Sequence, residues 1–246
     1  MISADQHQRE ILQNQASWTR KPLLRRIYRE FHRQIAQQLS DLPGVTVEVG
    51  SGVGNIRDVI PNCLRTDLFP NPWLDRVENV YQLSFETGSA ANVILFDVFH
   101  HLRYPGTALT ELHRVLAPGG RLLIFEPRIS LLGALVYGPL HHEPIAMSKP
   151  ITWFAPSGWS PNEHDYYAAQ GNATRVFLRR AAQLPGWQVR GLVELSALSY
   201  VASGGYSKPQ LYPDSWYPLI SSLERALDRL PALFATRMLI VLERGQ

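Results

Sequence analysis

Apolar and polar positions change rhythm several times along the chain, and each change marks an element. Over residues 18–39 the apolar side chains of Leu24, Ile27, Tyr28, Phe31, Ile35 and Leu39 recur at helical spacing and predict a buried stripe. Arg25, Arg26, Arg29 and Arg33 fall on the other face. Pro22 suits a first helical turn, where its missing N–H costs little. After Pro43-Gly44 the rhythm shifts to short, continuous apolar runs. Strands are predicted at 45–49, 63–68, 76–80, 91–98 and 121–126. A short helix is predicted at 56–60, stopped before Pro61, and a longer one over 105–116 with Ala108, Leu109, Leu112, Val115 and Leu116 on one face. Pro118-Gly119-Gly120 reads as the stop of that helix and a tight turn into the next strand. Alternating strands and helices with fully apolar strands imply a mostly parallel sheet covered on both faces.

Between 127 and 171 the regularity fails, and prolines and aromatics accumulate. So long a stretch without clear elements tends to be functional. A helix over 174–184 follows, then a strand over 188–195 that is open to continuation as far as Val201. A helix over 219–230 and a closing strand over 238–243 complete the pattern. The expected fold is α/β: a Rossmann-like, seven-stranded, mostly parallel sheet with helices on both faces and a hairpin-like final pair. A helical segment over 1–42 precedes the domain of 43–246, which carries a cap-like insertion at about 128–171.

Charge changes the picture in one place. Residues 1–40 hold seven basic and three acidic side chains, whereas the whole chain is only +3, so the basic character belongs to this segment. No second basic stripe or aromatic stacking motif accompanies it, which argues against nucleic acid as partner. Two readings stay open: a solvated amphipathic helix packed on the domain, or peripheral membrane contact through residues 18–39. The single Cys63 allows no intramolecular disulfide and fits a reducing compartment. The polar first ten residues do not resemble a signal peptide, and the apolar run over 129–140 is too short to span a bilayer. A cytoplasmic location is expected.

The chemistry centres on Val47-Glu48-Val49-Gly50-Ser51-Gly52-Val53-Gly54-Asn55, a strand running into glycines spaced two apart. Such a turn brings backbone close to a ligand. A dinucleotide site wants G-x-G-x-x-G with a pyrophosphate on a helix N-terminus. Here Asn55 occupies the expected third glycine position, and Glu48 precedes Gly50 by two residues. A carboxylate there suits an ammonium-bearing ligand better than a pyrophosphate.

Four separated pieces now line up: Glu48–Gly54, Asp67, the run Phe96-Asp97-Val98-Phe99-His100-His101-Leu102, and the run from Arg114 through Pro118-Gly119-Gly120 to Pro127. Together they resemble the class I S-adenosylmethionine (SAM) dependent methyltransferases, and among them the type 11 small-molecule group, over about residues 45–127. The resemblance implies that Gly50, Ser51, Gly52 and Gly54 approach SAM, with Glu48 near its methionine end. It implies that Asp67 accepts hydrogen bonds from the ribose hydroxyls, with Leu68 beside it. Asn79 stands where many relatives have an Asp reading the adenine amino group, and Asp97 and Val98 would line the pocket at the end of the fourth strand.

An oxygen acceptor needs its proton removed, and histidine is the natural base near neutral pH. His101, His100 and His142 are the candidates, His101 first, because strand alternation lets only one of the adjacent pair face the pocket. His141-His142-Glu143 could fold over a small-molecule acceptor such as a saccharide or lipid-linked intermediate; no spaced ligand set accompanies it, so no metal is expected. The competing readings are an NAD(P)-dependent oxidoreductase, and a non-catalytic module of the same fold that binds a membrane or partner through the basic helix.

Overall fold

The computed structural model describes residues 4–139, 141–162, 167–180 and 184–245. Two helices, α1 (Ala4–Arg20) and α2 (Pro22–Ala36), come first. The apolar stripe predicted a helix with Pro22 in its first turn, and α2 is that helix, ending at Ala36; Lys21, with φ −111° and ψ 89°, separates it from α1. Pro22 disfavours helical geometry in the residue before it, so Lys21 becomes the joint between two helices. The stripe itself is buried as expected, from Leu24 through Ile35, joined by Leu23 and His32. Of the arginines on the opposite face, Arg29 pairs with Asp58, Arg33 with Glu30, and the Arg26 guanidinium lies over the Tyr217 ring.

Seven strands form one sheet: β1 (Val45–Val49), β2 (Leu64–Asp67), β3 (Arg76–Val77), β4 (Ala90–Phe96), β5 (Leu116–Pro127), β6 (Trp187–Leu195) and β7 (Arg237–Arg244). Their order is β3-β2-β1-β4-β5-β7-β6. All pairings are parallel except those of β7, which runs antiparallel between β5 and β6. This is the Rossmann-like sheet expected, with its hairpin-like final pair.

Strand alternation sends Val93 and Leu95 of β4 into a core with Leu122, Ile124, Ile240 and Leu242, under helices α3 (Pro105–Val115) and α5 (Asn172–Arg180). Ile94 and Phe96 point the other way, into a core with Leu123, Phe125, Leu239 and the stripe of α2. Every residue of β4 is therefore buried, which is why that strand is apolar but for Asn92, whose amide is bonded to Ser40 and Thr46.

Several boundaries differ from the sequence pattern. Residues 56–60 do not make an α-helix; a four-residue 3-10 turn (Asn55–Asp58) stands there. Pro118-Gly119-Gly120 lies in the entry of β5 rather than between elements, as a bulge where the register against β4 shifts. Gly119 has φ +79°, and a Cβ on Gly120 would lie 2.8 Å from the Ala117 carbonyl oxygen. The strand after residue 188 stops at Leu195, because Ala197 turns left-handed (φ +45°) and helix α6 (Leu198–Ser203) begins. Among the described residues of the irregular stretch stands the helix α4 (Leu131–Tyr137), whose N-cap Ser130 Oγ accepts from Gly133 N–H. Helix α5 ends at Arg180, and residues 181–183 of the expected helix lie outside the described residues. Helices α7 (Tyr217–Leu227) and α8 (Pro231–Phe234) replace the single helix expected at 219–230. Among the described residues no helix is long and apolar enough to cross a membrane.

Candidate active site

Parallel strands end at one edge of a sheet, so the loops after β1, β2, β4 and β5 are brought together by topology alone. The glycine loop is the first of these. Gly50 N–H and Ser51 N–H both donate to the Thr66 carbonyl at 2.8 Å, which ties the loop to β2. Gly50, Gly52 and Gly54 all take positive φ, at +79°, +53° and +66°. A Cβ on Gly50 would sit 2.3 Å from Val98 Cγ2, so glycine is required there by packing as well as by backbone. At Gly52 the space is open among the described residues: a Cβ would meet Ile11 Cδ1 of α1, at 3.9 Å. Helix α1 thus stands beside the loop, an element that the apolar pattern did not reveal.

Asp67, at the end of β2, accepts from Gly52 N–H (2.9 Å) through Oδ2 and from Leu68 N–H (2.7 Å) through Oδ1. Glu48 is buried, and its Oε2 has no hydrogen-bond partner. Burial, together with the nearby Asp67 charge, pushes its carboxyl up to about 8, against the pull of Ser51 and Arg65. An orphaned carboxylate oxygen beside an open glycine turn fits the ammonium-bearing end of a ligand.

The same shift has a consequence for stability. A carboxyl raised in the native state binds a proton that the unfolded chain, with its ordinary value of 4.5, has lost between that pH and about 8. The ligand-free protein should therefore lose stability as pH rises through this window, by about 1.4 kcal/mol per unit at most. Denaturant unfolding of wild type and Glu48→Gln from pH 5 to 8 should show the wild type falling relative to the variant; parallel curves would place Glu48 in water.

Asn79 follows β3. Its Nδ2 donates to the Pro161 carbonyl at 2.7 Å and its Oδ1 accepts from Tyr81 N–H, so it ties the cap to the sheet edge. The aromatics of the cap do similar work: Trp159 packs edge-on against Tyr81 and Tyr104, at 5.0 and 5.1 Å, and Trp153 closes on Gly106. They fasten the cap to the domain rather than forming a core of their own; Tyr166 lies outside the described residues.

After β4, Asp97 takes φ +57° and pairs with Arg237 Nη1 of β7. Phe99–His101 is a 3-10 turn, not a continued strand, so the alternation argument fails and both histidines face the same group. His100 Nε2 lies 3.6 Å from Glu143 Oε2, and His101 Nε2 lies 3.8 Å from Glu143 Oε1. The two rings are 4.1 Å apart. His100 Nδ1 bonds to the fully buried Glu126 at 2.7 Å, and His101 Nδ1 to the Tyr167 carbonyl at 2.9 Å. Burial opposes charge on His100, but the Glu126 carboxylate outweighs it and lifts the imidazole to about 10. His101 goes the other way: burial, then the charge of His100, lowers it to about 4. His142 is largely exposed, with Nε2 3.9 Å from Glu143 Oε1.

Glu126 and Arg237 were not singled out in the sequence. The β4–β5 register sets Phe96 opposite Phe125, which makes residue 126 level with the turn after β4. That register was the available signal for Glu126. Arg237 comes from the reversed strand β7, and only its placement beside β5 brings it to Asp97.

Residues 47–124 match the family described as Methyltransferase domain. Over that stretch the chain is similar to this family. Solved structures share the fold of this chain across most of its length. Geranyl diphosphate C-methyltransferase from Streptomyces coelicolor A3(2) is 15% identical, with TM-score 0.54 over 87% of this chain and 78% of that one. A SAM-dependent methyltransferase from Archaeoglobus fulgidus is 11% identical, with TM-score 0.51 over 89% and 94%. The 4+2 cyclase SpnF is 14% identical, with TM-score 0.52 over 88% and 80%. No curated protein sequence matches this chain.

Proposed function

We propose that this protein acts in the cytoplasm and moves a methyl group from SAM to a small acceptor, such as a hydroxyl of a saccharide or lipid-linked intermediate. The observation that carries the reading is the glycine loop: three left-handed glycines, open at Gly52, with the unpartnered Glu48 oxygen and Asp67 on either side. Glu48 would face the ammonium of SAM, and Asp67 the ribose hydroxyls, exchanging its bonds within the loop. Leu68 and Asn79 lie on the adenine side, and Asp97 with Val98 on the side of the methyl. The loop leads into a 3-10 turn of four residues and not into a helix, so it offers no helix N-terminus for a pyrophosphate. That disfavours an NAD(P) enzyme.

SAM supplies an already electrophilic sulfonium methyl, so positioning carries much of the catalysis. Asp97, Arg237, His101 and Glu143 give the acceptor side a polar floor suited to a hydroxyl. His101 donates its Nδ1 proton to the Tyr167 carbonyl, so Nε2, turned toward Glu143, is the nitrogen that would take a proton from the acceptor. His100, held by Glu126, orients its neighbour. His142 stands at the exposed rim.

The alternative of a non-catalytic module working through the basic helix has less support. Arg25 donates to the Trp18 and Thr19 carbonyls, and Arg29 and Arg33 are paired, which draws much of that face into the fold.

Calorimetric titration tests the proposal: SAM and S-adenosylhomocysteine should bind and NAD should not. Asp67→Ala should weaken SAM by about 1–3 kcal/mol through loss of charge-assisted hydrogen bonds. No binding of SAM by the wild type would end the methyl-transfer reading, and an unchanged affinity in the variant would return Asp67 to a purely structural role.

A further inference from the structure

We propose that His100, His101 and Glu143 form a binding site for one divalent transition-metal ion of the zinc class. The ligand atoms of the three residues lie within 4.8 Å of one another. The distances from each Nε2 to Glu143, 3.6 and 3.8 Å, are too long for hydrogen bonds of charged partners, which run at about 2.7–2.9 Å. They are close to the separation of two ligands on one zinc ion: bonds of about 2.1 Å at tetrahedral angles put ligand atoms about 3.4 Å apart. A closure of a few tenths of an ångström completes the set.

The outer contacts point the same way. Metal-bound histidines direct their second ring nitrogen to a carboxylate or a backbone carbonyl, which fixes the ring and raises its basicity. Both arrangements occur here, Glu126 behind His100 and the Tyr167 carbonyl behind His101. The carboxylate ligand is supported too, since Glu143 Oε2 accepts from Gln170 Nε2. Asp97, His100 and Glu126 also cluster, but Asp97 is committed to Arg237, and Glu126 to Phe99 N–H and His100. They serve better as surroundings of a bound ion than as its ligands. Two imidazoles and one carboxylate favour zinc, cobalt or iron over magnesium, and leave at least one position open.

The site stands on geometry alone; its role rests on the methyl-transfer reading. An acceptor hydroxyl in the open position would become more acidic, and His101 would act as a metal ligand in place of a base.

The test uses tag-free, chelator-stripped full-length protein titrated with Zn2+ against a chromophoric chelator, and with Co2+ read by visible absorption. One ion per chain is expected, with cobalt bands of a low-coordinate site. His101→Ala and Glu143→Gln, checked for folding by circular dichroism, should each lower zinc affinity by about 100-fold or more. His113→Ala, on α3, should bind as the wild type does. Absence of stoichiometric Zn2+ and Co2+ binding, or affinities unchanged in both variants, overturns the site and leaves His101 as the base. SAM titration of the same samples reads the donor site separately: metal bound without SAM keeps the site and removes its role in methyl transfer.

Discussion

Gly52→Val abolishes SAM binding, lowering affinity by about 100-fold or more, while the chain still folds. Among the described residues the space beside Gly52 is open, with Ile11 Cδ1 near a would-be Cβ, and a branched side chain fills it. A left-handed valine also carries backbone strain of about 1–2 kcal/mol. That strain must be separated from the loss of the ligand, and Gly88→Val does so. Gly88 has φ +72° with nothing within 4 Å of a would-be Cβ, so the variant bears a similar strain far from the loop. Calorimetry should find SAM affinity lost in the first variant and kept in the second. Normal affinity in Gly52→Val would mean that the cofactor does not use this loop.

The second large effect is on stability. Glu126→Ala should cost about 3–5 kcal/mol in denaturant unfolding, the range for removing one partner of a buried ion pair. Glu126 is fully buried, with one oxygen 2.6 Å from Phe99 N–H and the other 2.7 Å from His100 Nδ1. Alanine leaves both donors without an acceptor in a dry interior. Glu126→Gln, which keeps an acceptor oxygen, should lose less. A loss of under about 1 kcal/mol in the alanine variant would show that water enters this corner and takes over both bonds.

Part of this site was legible in the chain. The loop around Gly50 is a local object: a parallel strand must end in a sharp turn, and glycines at those positions announce left-handed backbone. The same holds for the stripe of α2 and the apolar run Val93-Ile94-Leu95-Phe96 of β4, whose burial follows from spacing and composition. The place of helix α1 beside the loop was not legible. Its residues are polar over much of its length, and what places Ile11 beside Gly52 is a tertiary contact.

The pairing of His100 with Glu126 and the meeting of both histidines with Glu143 were invisible for another reason. Strand alternation assumes extended backbone, and the 3-10 turn at Phe99–His101 replaces it with a geometry that sends both imidazoles to one side. Glu143 comes from the cap, 42 residues beyond His101, where no periodicity predicts position.

By itself, then, the sequence determined the elements whose signals are local: the strand–turn–helix alternation, the glycine turn with Glu48 and Asp67 at its ends, and the family resemblance those residues carry. The tertiary structure alone decided which polar groups share the dry space at the sheet edge. Strand order, the reversal of β7 that delivers Arg237 to Asp97, and the docking of the cap through Trp159 and Asn79 depend on contacts between segments far apart in the chain. Such contacts are selected by packing and charge compensation over the whole domain, and no short window of residues encodes them.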